Sequence, residues 1–159
     1  MSAECRFDLV EFVRQPYRDG DRASGLRILI NGIDLVELVR LVELPFASAE
    51  GSPSIAGAYA GLPPEEVCPP SRHFYGEPSN ELLHSRSKVQ ILGCECGEPG
   101  CWPLLCAITV AGEVVRWSGF EQPHRAGRDD RPSWPYDQLG PFEFDRSQYD
   151  RALAITASV

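Results

Sequence analysis

The sequence has few basic residues and no long hydrophobic run. Lysine and arginine number 15 against 23 aspartates and glutamates, and the formal net charge is −8. A surface of this sign repels phosphate backbones and anionic membranes, so we expect neither nucleic acid nor a membrane as partner. No stretch approaches the roughly 18 consecutive apolar residues of a transmembrane helix. The charged residues Glu4, Arg6 and Asp8 lie where a signal peptide would have its apolar core. We therefore expect a cytoplasmic protein.

Common catalytic and nucleotide-binding motifs are also missing. The chain contains no GxGxxG, Walker, HExxH or GxSxG sequence, no internal repeat and no low-complexity tract. Its 159 residues, 43% of them apolar, predict a single domain over 1–159 with a core large enough to fold without covalent crosslinks. These absences leave open whether the protein is an enzyme and name no reaction.

Hydrophobic patterning predicts an α+β fold. Two capping boxes, Asp34 with Glu37 and Asp145 with Gln148, each precede residues at helical spacing. They predict a helix over Asp34–Leu44, ended by Pro45, and a C-terminal helix from Asp145. We expect an antiparallel sheet of about four to six strands packed with these two main helices. The predicted strands are Phe7–Val13, Leu26–Ile30, Lys88–Leu92, Leu104–Val110 and Glu113–Phe120, the last two forming a hairpin.

Residues 45–80 contain seven prolines and four glycines, so we expect a long, ordered, wrapping loop with one helical turn. The segment Ser79–Ser85 is predicted to begin a short helix. Residues 123–141 are polar and predict a surface excursion. Aromatic side chains nearby are expected in the core, namely Trp117, Trp134, Phe142 and Phe144.

Three of the six cysteines are concentrated in one short stretch, GCECGEPGCW at 93–102. Cys94 and Cys96 lie two residues apart at the end of a predicted strand, so an extended backbone directs both sulfurs to one side. The glycines and proline that follow would turn the chain and bring Cys101 to them. Three thiolates suit tetrahedral zinc, which needs a fourth ligand. Cys106 alternates with core residues in its predicted strand and favours burial, which leaves His73, His84 and His124 as histidine candidates.

Two other interpretations use the same cysteines. Cys94 or Cys96 could form a reversible disulfide with Cys101, as in a thiol redox protein, and Cys101 near His124 could serve a small enzyme. The thiols could also be inert side chains of a tight turn. The usual paired C-x2-C zinc signature and the redox C-x2-C are both absent.

Several motifs occur together in this chain: GCECGEPGCWPL, then EQPHR, then GPFEFDRSQY. In this combination the sequence resembles a group of small bacterial proteins with a GCxCGxxGCWPL motif followed by QPHR and GPFxFDRxQY. The group has no established activity, so the resemblance implies a lineage and no mechanism. It implies that the three clustered cysteines, Trp102 and Pro123–Arg125 belong to a shared pattern, which makes His124 the favoured partner of the cluster.

Taken together, the sequence predicts a binding or interaction module with an unidentified protein partner. It predicts a structural zinc held by Cys94, Cys96, Cys101 and His124. The thiol redox protein or small enzyme is the first alternative. An acidic inhibitor of a basic protein is the second, and only the net charge favours it.

Overall fold

Two antiparallel sheets and three helices make up the fold of the computed structural model. It describes residues 7–14, 25–78, 80, 83–85, 87–96, 100–125 and 133–157. The α+β prediction is confirmed. The strands are β1 (Val10–Arg14), β2 (Leu26–Ile30), β3 (Ile33–Asp34), β4 (Tyr59–Ala60), β5 (His84–Ser85), β6 (Lys88–Cys94), β7 (Leu104–Ala111), β8 (Val114–Glu121) and β9 (Phe142–Asp145), and the helices are α1 (Leu35–Ala49), α2 (Pro64–Val67) and α3 (Arg146–Ala154).

The larger sheet has the order β4-β6-β7-β8-β9, with β5 also paired to β6. Its centre is the β7–β8 hairpin, whose Gly112 adopts φ 60°. The smaller sheet has the order β1-β2-β3, which the sequence did not predict as a separate sheet. A backbone hydrogen bond from Asp8 to Glu143, 2.8 Å long, joins the start of the chain to β9. Among the described residues, no helix is long and apolar enough to cross a membrane.

An aromatic cluster between the two sheets and α3 forms the centre of the core. Trp117 is fully buried and contacts the rings of Phe12, Phe74, Phe144 and Tyr149. Its indole N–H donates to the Tyr149 hydroxyl at 3.1 Å, and that hydroxyl donates to the Phe74 carbonyl. The buried polar atoms of Trp117 and Tyr149 thus bond to each other and to the backbone, as burial requires.

The N-terminal caps of both main helices are confirmed. Asp34 accepts a hydrogen bond from the Val36 N–H at 2.9 Å, and Asp145 accepts from the Gln148 N–H at 3.1 Å. Asn31 and Gly32 form a left-handed turn just before, with φ 53° and 83°. The chain therefore makes a β2–β3 hairpin first and begins α1 directly after it.

The prediction that Pro45 ends the first helix is wrong, because α1 continues to Ala49. Proline removes the hydrogen bond to the carbonyl of Leu41. Leu41 is 61% exposed, so water reaches this side of the helix. Beyond the proline, Ala47 is fully buried and Phe46 packs against the core. Tertiary packing therefore continues the helix across an unfavourable residue.

Replacing Pro45 with alanine should raise the free energy of unfolding by about 1–2 kcal/mol. Alanine restores the missing N–H, and it removes the steric clash of the ring inside α1. Urea denaturation of the two proteins measures the difference. Pro53→Ala is the matched control, since Pro53 begins a 3-10 turn where proline is favourable, and it should give no gain. A less stable Pro45→Ala protein would contradict the explanation.

Two other segments differ from the sequence predictions. The wrapping segment after α1 contains the short strand β4, the short helix α2 and two 3-10 turns, where the sequence predicted a loop with one helical turn. Residues 133–141 do not form a surface excursion, because Trp134, Tyr136 and Leu139 are buried. The helix predicted over Ser79–Ser85 is partly outside the described residues, and its last two residues form β5.

Candidate metal centre

Three cysteine sulfurs meet at one end of the larger sheet. The Sγ atoms of Cys94, Cys96 and Cys101 all lie within 4.8 Å of one another. Cys94 is the last residue of β6 and is half-buried, while Cys96 and Cys101 are exposed. The Cys96 N–H points to the Cys94 sulfur at 3.5 Å. The convergence predicted from the sequence spacing is therefore confirmed.

The sheet determines the position of the first sulfur. Cys94 lies opposite Tyr59 of β4, and two residues earlier Leu92 lies opposite Leu104 of β7. Cys94 is therefore positioned by its pairing with β4, at the end of a strand that β7 holds on the other side. Cys101 follows Gly100, whose φ of 78° is the left-handed conformation that glycine adopts without strain.

Burial raises the pKa of Cys94 to about 12, the thiols of Cys96 and Cys101 act in the same direction, and the hydrogen bond from the Cys96 backbone N–H opposes the shift. A thiol with a raised pKa holds its proton and is a poor nucleophile at neutral pH. A bound metal cation has the opposite effect, because it deprotonates a coordinating thiol. The surroundings of Cys94 therefore disfavour a reactive thiolate in the metal-free protein.

His124 lies against the turn that carries Cys101. It belongs to the 3-10 turn Pro123–Arg125, directly after β8. Its Nε2 is 2.9 Å from the carbonyl oxygen of Gly100, and its ring stacks on Trp102 with centroids 5.9 Å apart and planes 8° apart. Within the described part of the chain, the close group of ligand atoms comprises the three sulfurs and neither nitrogen of His124. Its role as the fourth ligand stays a prediction.

Arg125 holds two tryptophans together beside the same turn. Its guanidinium carbon lies 5.2 Å from the ring centroid of Trp102 and 5.4 Å from that of Trp134. Its Nε donates to Glu50 at 3.0 Å, and the Trp134 indole N–H donates to the same carboxylate at 2.6 Å. We call Trp102, Arg125, Trp134 and Glu50 the tryptophan clamp. Because Trp102 follows Cys101 directly, the clamp connects the third sulfur to the end of α1.

A buried glutamate on α1 is the centre of a second hydrogen-bond network. Glu43 is fully buried and accepts hydrogen bonds from the hydroxyls of Tyr59 and Tyr136, each 2.5 Å long, and from the Gly57 N–H at 2.9 Å. Gln122 donates to the Tyr59 hydroxyl at 3.0 Å. Burial raises the pKa of Glu43, and these hydrogen bonds oppose the shift. This carboxylate network joins α1 to β4 and to the end of β8.

Sequence reasoning missed both the network and the clamp. A signal for Glu43 existed, because it follows Leu35 and Val39 at intervals of four residues and thus lies on the buried face of α1. For the clamp, the resemblance indicated Trp102 and Arg125, but neither their contact nor the other two members. Glu50 and Trp134 are far apart in the chain, and no local pattern connects them.

Cys68, Cys106 and His73 are separate from the cluster. Cys106 is fully buried, as its strand position predicted, and Cys68 is buried as well. His73 is buried with its Nε2 2.6 Å from the Gln90 carbonyl oxygen, and burial lowers its pKa. Cys5 and the side chain of His84 lie outside the described part of the chain.

Comparisons with protein-family models, with curated proteins and with solved structures found no match to this chain. The resemblance to the small bacterial group therefore stays an expectation from the sequence motifs.

Proposed function

We propose that this protein is a binding module whose cysteine turn holds one structural zinc ion through Cys94, Cys96 and Cys101. The observation that supports it is the convergence of three sulfurs within 4.8 Å. Tetrahedral zinc with Zn–S bonds near 2.3 Å needs sulfurs about 3.8 Å apart. Movements of about 1 Å or less would close each pair around the ion, which is within the reach of two exposed cysteines on a turn.

The zinc would connect two parts of the chain that strand pairing does not join. Cys94 belongs to β6, whereas Cys101 belongs to the turn that leads into β7. Coordination would fix this exposed turn as a rigid surface for a partner. The predicted fourth ligand, His124, would have to move its ring toward the sulfurs, because neither of its nitrogens lies in their close group. A water molecule would otherwise occupy that position, as in zinc sites with three protein ligands.

Metal analysis of untagged protein, prepared in zinc-containing medium without chelator, tests the proposal. We expect about one zinc per chain in the wild type and nearly none in Cys101→Ser, because two thiolates alone bind zinc weakly. Cys106→Ala is the matched control and should keep its zinc, since Cys106 lies in the core. Cluster thiols should react with a thiol reagent only after a chelator is added.

Two results would overturn the zinc proposal. Metal-free wild-type protein with freely reactive thiols would leave only a structural turn. Metal-free protein with a reversible disulfide between Cys101 and Cys94 or Cys96 would favour the redox alternative, which the same proximity of sulfurs supports.

A further inference from the structure

The sulfur cluster supplies three of the four ligands that a tetrahedral ion needs. Among the described histidine, cysteine, aspartate and glutamate side chains, the group whose ligand atoms lie within 4.8 Å of one another comprises Cys94, Cys96 and Cys101. Glu95 lies between two of these cysteines in the chain and is not part of the group. An ion bound by the three sulfurs therefore keeps one position for a further ligand.

The cluster lies at the surface of the protein. Cys96 and Cys101 are exposed, Cys94 is half-buried, and the intervening Glu95 is exposed as well. An ion between these sulfurs would be within reach of a donor atom on another molecule, and no helix or strand would have to move to admit it. The fourth position is therefore accessible from outside.

Several contacts hold the neighbouring histidine in a different arrangement. The Gly100 carbonyl can only accept a hydrogen bond, so the Nε2 of His124, 2.9 Å away, carries a proton and has no lone pair for a metal. The His124 ring stacks on Trp102, and its backbone N–H donates to the buried Gln122 at 3.1 Å. These contacts fix His124 as a support of the Cys101 turn, and the fourth ligand has to come from elsewhere.

Charge selects the kind of donor that would enter. Three thiolates outweigh the charge of one divalent ion, so the loaded site is negative, and it lies beside the exposed Glu95 in a chain of net charge −8. A carboxylate or a further thiolate would bring another negative charge to this place. Of the ligands that zinc accepts from proteins, only the imidazole nitrogen of histidine is neutral when it coordinates.

We propose that the fourth position of this metal site binds a neutral imidazole, supplied by a histidine side chain of the protein partner. The inference rests on the proposed function, because it requires the metal, and it specifies how the binding module recognises its partner. In the absence of the partner, water holds the position and is displaced on binding. The exposed sulfurs then form part of the docking surface.

Cobalt in place of zinc makes the fourth ligand visible. The visible absorption bands of Co²⁺ bound by thiolates change when its fourth ligand changes, so the Co²⁺-loaded, untagged full-length protein is titrated with imidazole, acetate and β-mercaptoethanol. We expect a saturable response to imidazole, one per cobalt, with an affinity about tenfold or more above that of the other two. An equal or stronger response to acetate or to the thiol would overturn the nitrogen assignment.

Two variants show whether the position is free in the loaded protein. His124→Phe should respond to imidazole as the wild type does, within about twofold in affinity. Cys106→Ala, altered in the core, is the matched control and should also respond normally. If imidazole acts on His124→Phe and not on the wild type, His124 itself fills the position and the inference is wrong.

The failures of the two proposals are distinguishable. Wild-type protein that binds metal but does not respond to imidazole at millimolar concentration would overturn this inference and leave the zinc proposal standing. Wild-type protein that binds neither zinc nor Co²⁺ would overturn both.

Discussion

Replacing Glu43 with alanine is expected to lower the free energy of unfolding by about 4 kcal/mol. The substitution removes the common acceptor of the Tyr59 and Tyr136 hydroxyls and of the Gly57 N–H. These donors lie in the interior, and leaving each without a partner costs about 1–3 kcal/mol. A cavity adds to the loss. Chemical denaturation of the variant and the wild type, with matching slopes, measures the difference.

Milder variants divide this loss among its causes. Tyr136→Phe removes one donor and keeps the carboxylate, so we expect a loss of about 1 kcal/mol. Glu37→Gln is the matched control on the same helix, where the side chain is exposed and pairs with Arg40, and it should change stability by less than about 0.5 kcal/mol. If Glu43→Ala cost no more than Glu37→Gln, the network would not hold α1 to β4.

The stability difference between the wild type and Glu43→Gln should depend on pH. Burial raises the pKa of Glu43 above its ordinary value of 4.5, because the charged form is poorly solvated inside the protein. A raised pKa in the folded state means that the contribution of Glu43 is fully present below pH 4.5 and is lost as pH rises through the raised value. The advantage of the wild type should therefore decrease over that window. An advantage that increases with pH would contradict the direction of the shift.

Replacing His124 with phenylalanine is expected to weaken zinc binding about 10- to 100-fold while leaving about one zinc per chain at saturation. Phenylalanine keeps a ring that can stack on Trp102 and removes the nitrogen that contacts the Gly100 carbonyl. That contact holds the residue before Cys101, so its loss releases the third sulfur from its position. Competition with a chromogenic chelator gives the zinc affinity, and metal analysis gives the stoichiometry.

The experiment separates a positioning role from direct ligation. Arg116→Gln, an exposed position in the middle of β8, is the matched control and should leave the affinity unchanged. An unchanged affinity in His124→Phe would show that the Gly100 contact does not support the site. Loss of stoichiometric zinc, as expected for Cys101→Ser, would instead make His124 the fourth ligand, as the sequence predicts.

Local sequence patterns correctly predicted the strands and helices whose caps, turns and apolar spacing agree with their packing in the structure. The strand over Leu26–Ile30, the β7–β8 hairpin and the capped helix after Asp145 all follow from alternation, turn residues and caps. Strand β9 and the second sheet were not predicted. Two-residue strands and the short β9 are too brief for periodicity, and their pairing depends on partners far away in the chain.

The candidate site was likewise predicted from the sequence only in part. The spacing of Cys94, Cys96 and Cys101 predicted their convergence, because it depends only on one strand end and one turn. The contacts of Arg125 were not predictable, since they involve Glu50 at the end of α1 and Trp134 in the segment after β8. Such contacts form only when the sheet brings distant segments to one end.

By itself, the sequence of this protein determined an acidic α+β chain with three cysteines gathered on one turn. Alternation and local spacing act over a few residues, so these features did not depend on distant contacts. Tertiary structure decided that α1 crosses Pro45, that Glu43 enters the interior and that Arg125 lies between two tryptophans. Each of these arrangements is unfavourable or neutral locally. It is stable because packing buries apolar surface and because hydrogen bonds from distant residues satisfy the buried polar atoms.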